Sequence, residues 1–146
     1  MFWLLILFIL IAIAVLVRIY FNLRKVRGAS LRADWDAQQI SQLRAMGSDP
    51  FQPHQVDFFF GLPSEAACQA LRRALELEGF SVDVKPVPEA VDQPFSLHAC
   101  RSMRLSVPDM QELSHRFGEL AGVNGGRYDG WAAGVVRQRA AGPDSR

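Results

Sequence analysis

His98 is the chain's nearest approach to a general base. It falls mid-strand on the face opposite Leu97, and an imidazole titrates close to neutral pH. No partner acid stands beside it in the sequence, so the default is a solvated or hydrogen-bonded sheet histidine. Asp57 alternates with Phe58 and is expected to point away from the helices, pairing with an arginine on a neighbouring strand. Cys68 and Cys100 fall in a predicted helix and a predicted strand, where small buried thiols in a reducing compartment are the simplest reading. No ligand spacing joins them to His54, His98 or His115, so neither a metal nor a cofactor is expected. The catalytic signatures G-x-S-x-G, G-x-x-x-x-G-K-S/T, H-E-x-x-H and C-x-x-C are absent. Gly122-Val123-Asn124-Gly125-Gly126 follows a helix instead of opening one, so it reads as a turn and not as a phosphate cradle. The expectation is a protein that is not an enzyme.

The aromatic side chains are more informative. Phe59, and with it Trp131, could stack bases as exposed sheet aromatics do in RNA-binding domains. The basic and glycine residues that accompany such aromatics are missing, and core or protein-contact roles are favoured. Tyr128 and Trp131 read first as packing anchors for the last strand, with Gly130 allowing a neighbour to approach closely. An exposed aromatic with an acidic rim would read instead as a protein interface. The candidate contact residues are therefore Asp57, Phe59, Glu65, Tyr128, Asp129 and Trp131.

The elements that position these residues follow from periodicity. Ala33 to Met46 reads as a helix with Trp35, Ile40, Leu43 and Met46 on one face and Gly47 as its stop. Ser48 to Pro53 is a proline-bearing linker. Gln55 to Leu62 is a strand apolar on both faces, as a central strand is. Ser64 caps a helix from Glu65 to Glu78, whose stripe is Ala67, Cys68, Leu71, Ala74 and Leu75. Phe80 to Lys85 alternates strictly, a loop with three prolines follows, and Phe95 to Met103 is a third strand. Ser106-Val107-Pro108-Asp109 opens a helix that runs to Ala121, and Arg127 to Val136 is the last strand. The order βαββαβ with right-handed crossovers gives an α+β, ferredoxin-like sandwich: an antiparallel sheet with both helices on one face.

Charge and hydropathy divide the chain of 146 residues. Phe2 to Val17 is an unbroken apolar run, and a helix from Phe2 to Leu23 would span roughly 30 Å, enough to cross a hydrocarbon core. Arg18 and Tyr20 suit the membrane interface. Ala12-Ile13-Ala14 resembles a cleavage site, but a signal peptide needs a positive segment before its apolar stretch, and only Met1 precedes Phe2. Arg18, Arg24, Lys25, Arg27 and Arg32 all lie on the far side, so the positive-inside rule places the rest of the chain in the cytoplasm. The expectation is an uncleaved anchor in the inner membrane. Residues 33–146 hold 11 Lys and Arg against 15 Asp and Glu, a net −4, which disfavours a domain held on nucleic acid through phosphates. The division expected is a transmembrane helix at 1–24, a basic juxtamembrane segment, short helix and linker at 25–54, a folded domain at 55–136 and a disordered tail at 137–146.

Several segments together resemble the regulator of ribonuclease E activity B (RraB) family. They are Leu43-Arg44-Ala45-Met46-Gly47, Pro53-His54, Val56-Asp57-Phe58-Phe59-Phe60, Pro63 to Ala67, Met103, Pro108 and Gly125-Gly126-Arg127-Tyr128-Asp129-Gly130-Trp131. The resemblance spans about residues 36 to 136, with its two ends the most specific. It implies a ferredoxin-like domain without enzymatic activity. It also implies a partner, the endoribonuclease RNase E or a related ribonuclease, whose cleavage of RNA is reduced or redirected. An acidic domain docking on basic, disordered segments of that partner is physically reasonable. The hairpin loop Pro86 to Pro94 carries only two acids, where the family has an acidic loop, and the anchor is an addition. An adaptor for another inner-membrane protein is the alternative, and an RNA-binding domain is a third.

Overall fold

The computed structural model describes residues 2–136, with side chains described outside 2–10 and 21–30. Met1 and the expected tail at 137–146 lie outside the described residues. The chain separates into two compact units, Met1–Trp35 and Asp36–Arg146. The elements are α1 (Phe2–Ala45), β1 (His54–Leu62), α2 (Glu65–Leu77), β2 (Ser81–Pro86), β3 (Phe95–Met103), α3 (Val107–Val123) and β4 (Arg127–Ala133). The strands form one sheet in the order β2-β3-β1-β4 with every neighbouring pair antiparallel. From β1 onward this is the α+β arrangement expected from the sequence.

One face of the sheet makes the core. Val56, Phe58, Phe60 and Leu62 of β1 are buried, as are Leu97 and Ala99 of β3. They meet Ala67, Cys68, Leu71 and Leu75 of α2 and Met110, Phe117 and Ala121 of α3 in a single cluster. Phe117 is the hub. Its ring lies 5.1 Å from Phe58, 5.5 Å from Phe60, 5.6 Å from Phe80 and 5.8 Å from Tyr128, all edge-on, the geometry that opposed ring quadrupoles prefer. Both helices begin at the expected caps. Ser64 Oγ accepts from the Ala67 amide at 3.2 Å, and Ser106 Oγ from the Asp109 amide at 3.3 Å.

The last strand departs from a plain period of two. Phe59 pairs with Gly130 but Phe60 pairs with Tyr128, so Asp129 is an extra residue and β4 bulges there. Gly130 has φ +124°, a conformation that a residue with a Cβ rarely adopts. The bulge turns both Tyr128 and Trp131 inward, each 3 % exposed, although they are three residues apart.

α1 also differs from expectation. The anchor at 1–24 and the Ala33–Met46 helix were expected to be separate elements with a basic juxtamembrane segment between them, yet one helix runs from Phe2 to Ala45. No proline interrupts that stretch, and an interior glycine costs only about 1 kcal/mol. Its buried stripe within the second unit is Asp36, Ile40 and Leu43, while Trp35 and Met46 are exposed. Among the described residues no helix is long and apolar enough to cross a membrane. Of the expected anchor residues, Val17, Arg18 and Tyr20 are exposed. The side chains of Phe2, Arg24, Lys25 and Arg27 lie outside the described residues.

The turn into β4 explains one glycine by contact. A Cβ on Gly126 would lie 2.5 Å from both the Gly61 carbonyl oxygen and Leu62 Cδ2, whereas one on Gly122 would meet nothing within 4 Å. Gly126→Ala is therefore expected to lower stability by about 1–3 kcal/mol through displaced backbone. Gly122→Ala, inside α3, should be neutral or stabilising by up to about 1 kcal/mol. Urea unfolding midpoints of the two variants check the contrast.

Candidate functional site

The face of the sheet away from α2 and α3 is formed by the alternate residues of the same strands. β1 presents Gln55, Asp57 and Phe59 there, and β3 presents Ser96, His98 and Cys100. Asp57 pairs with His98 of the neighbouring strand, Oδ1 to Nε2 at 3.0 Å, instead of with an arginine. The His98 ring stacks on Phe59, with centroids 5.2 Å apart and planes 25° from parallel. Asp57, Phe59 and His98 are each about one-third exposed. Asp129 lies on β4 with its carboxylate 2.6 Å from Arg127 Nε, and Asp83 on β2 is 3.6 Å from Lys85 Nζ.

Asp57, His98 and Cys100 include the residue types of a nucleophilic triad, but the order of contacts is wrong for one. The thiol of Cys100 stands opposite the carboxylate, not beside the imidazole. Burial, and then its hydrogen bond to Asp57, push that thiol above its ordinary pKa, with a smaller opposing effect from the Gln55 amide, which donates to Sγ. A nucleophilic cysteine needs the reverse shift. Cys68 is buried, and its thiol is pushed up by burial and then by the charge of Glu65. Among the described residues no group of three or more His, Cys, Asp or Glu could hold a metal ion.

A second histidine pair lies in the interior. His54 Nδ1 is 2.9 Å from the Gln52 carbonyl oxygen, which can only accept, so Nδ1 carries the proton. Nε2 then accepts from the Ser48 hydroxyl at 2.6 Å, while Ser48 Oγ accepts from the Val136 amide at 3.0 Å. Ser48 and His54 are both buried, and the adjoining cavity of about 10 Å³, lined by Ile40, Leu43 and Leu105, has room for one water and no substrate. The pair ties the linker to the segment after β4, a connection reinforced by the Asp49 amide donating to the Val136 carbonyl at 2.8 Å.

Of the six candidate contact residues, Asp57, Phe59 and Asp129 lie exposed or half-exposed on strands. Glu65 stands apart in the first turn of α2, and Tyr128 and Trp131 are in the core. Trp131 is fixed by a residue outside the six candidates. The carboxylate of Asp36, fully buried, accepts at Oδ1 from Trp131 Nε1 at 2.8 Å and from Ser114 Oγ at 3.0 Å. The available signal was the i, i+4, i+7 spacing of Asp36, Ile40 and Leu43, which marks Asp36 as inward-facing despite its charge.

Asp36→Ala leaves two buried donors without an acceptor and is expected to cost about 3 kcal/mol or more, against about 1 kcal/mol for Asp36→Asn, which keeps an oxygen. Urea titration followed by tryptophan fluorescence reads both. Cys100 in the folded chain should alkylate more slowly with iodoacetamide at pH 8 than in the urea-unfolded chain. Asp57→Asn should speed it by removing the carboxylate that favours the thiol, as followed by peptide mass spectrometry.

The sequence pattern of the family described as RraB, regulator of ribonuclease activity B, matches residues 33–133. No curated protein matches the chain closely enough to report. The matched segment takes in the Asp36 carboxylate, the bulged β4 and the Asp57–Phe59–His98 face, and on that match the chain belongs to the RraB family of ribonuclease regulators.

Proposed function

We propose that this is a non-catalytic, membrane-attached protein that binds the endoribonuclease RNase E, or a related ribonuclease, and restrains its cleavage of RNA. The observation that carries this reading is family membership over residues 33–133. The charge of that segment supports it: 8 Lys and Arg against 14 Asp and Glu, a net −6. Such a surface repels RNA phosphates and attracts basic protein segments. The half-exposed Asp57, Phe59 and His98, on a face that neither α2 nor α3 occupies, are the favoured contact.

Attachment to the inner membrane through residues 1–24 is part of the same proposal. It rests on the apolar run Phe2–Val17 followed by five positive residues before Asp34, and on the side chains of 11–20, which are exposed all round the helix. The flank places residues 33–146 in the cytoplasm. An anchor of this kind would raise the effective concentration of the domain toward partners at the membrane. The exposed apolar helix also favours a second reading, an adaptor for another inner-membrane protein.

The test uses the full chain in detergent with purified RNase E and a labelled RNA. Excess chain should slow cleavage, and Asp57→Lys should weaken the effect by about tenfold or more while leaving the circular dichroism unchanged. Glu65→Lys, distant from that face, should inhibit as the wild type does. Undiminished cleavage with the wild-type chain, together with recovery of an unrelated membrane protein in affinity capture, would replace the leading reading with the second.

A further inference from the structure

We propose that the open face of the sheet carries a slot for an arginine side chain of the bound protein, an inference that rests on the regulatory reading above and names its chemistry. The slot is built from one row across the sheet. Asp83 of β2 stands opposite His98 of β3, His98 opposite Phe59 of β1, and Phe59 opposite Gly130 of β4. His98 stacks on one face of the Phe59 ring. On the other side of the row stands a glycine, so no side chain of the row covers the second face of the ring. Phe59 is 37 % exposed although a strand flanks it on each side.

Acids stand beside this ring. Asp57 is two residues before Phe59 on the same face, about 6.5 Å along the strand, within reach of one long side chain. Its Oδ1 is engaged by His98, and among the described residues no lysine or arginine pairs with it. Asp129, next to Gly130 in the bulge, is paired with Arg127 on the far side of the slot. An aromatic face beside a carboxylate that is paired with a histidine, and with no lysine or arginine among the described residues, fits a guanidinium, which is flat, stacks on rings and presents a fork of donors to an acid. A lysine ammonium makes the charge contact without the stacking or the fork. The net −6 of residues 33–133 gives the long-range attraction for a basic polypeptide segment, and the same charge opposes RNA, whose bases could otherwise use the ring. The bulge at Gly130 thus has two effects: it turns Trp131 into the core and it leaves the neighbouring ring uncovered.

The test titrates the full chain in detergent, at low ionic strength, with fluorescent peptides of alternating arginine and glycine, or lysine and glycine, and with an oligouridine. The arginine peptide should bind roughly three- to fivefold more tightly than the lysine peptide, the contribution of one exposed cation–π contact. Phe59→Ala should bring the arginine peptide down to the lysine level, and Phe59→Trp should retain the preference. Equal affinities for the two peptides, or an unchanged preference in Phe59→Ala, would overturn the slot. Tighter binding of oligouridine than of the arginine peptide, lost in Phe59→Ala, would also overturn it and make the ring a base platform. Capture of RNase E by the same variants separates the two levels of the proposal. Capture unchanged in Phe59→Ala removes the slot and leaves the regulatory reading standing. An arginine preference that depends on Phe59, with no capture by the wild type, keeps the slot and removes that reading.

Discussion

The folded unit depends on one buried carboxylate. Asp36 is out of contact with water, and a charged group in that position is strongly destabilising unless hydrogen bonds replace its hydration. Trp131 Nε1 and Ser114 Oγ supply two of those bonds from two different elements. The carboxylate therefore holds the end of α1, the middle of α3 and the bulged part of β4 in one arrangement. An apolar residue in its place would pack without selecting among orientations of the indole. The acid accepts only the one that aims Nε1 at it.

That arrangement requires β4 to break its own alternation. With Asp129 as an extra residue and Gly130 at φ +124°, Tyr128 and Trp131 both reach the core. Tyr128 joins the ring cluster around Phe117, and Trp131 closes on Asp36. The conspicuous aromatics of the closing motif are thereby committed to stability. The opposite face, where Asp57, Phe59 and His98 pack on one another and remain partly open, is the one proposed for recognition. One face of the sheet makes the core and the other is the proposed contact, with the bulge in β4 lying between them in its effects.

Much of the fold was legible because its strands and helices follow the local rules. β3 occupies Phe95–Met103 as its alternation indicates, and both caps are where Ser64 and Ser106 stand. The bulge was harder to see, because an odd spacing between two aromatics reads equally as one facing in and one facing out until the register with β1 is known. The Asp57–His98 pair was invisible because it joins residues 41 apart in sequence, and only the pairing of β1 with β3 brings them opposite one another's neighbours. Asp36 was overlooked because its charge outweighs its spacing in any reading by hydropathy. The continuity of α1 through Gly28 was also missed, since the cost of a single glycine is small beside the helix on either side of it.

The central claim is that recognition belongs to the outer face of the sheet and not to the helical side. The most direct measurement is photo-crosslinking of the full chain to RNase E from a benzoyl-phenylalanine placed at position 59 or at position 77. Both positions are exposed, the first on β1 and the second at the end of α2. A crosslink from position 59 and none from position 77 is the expected result. A crosslink from position 77 alone would contradict the account and move the contact to the helices.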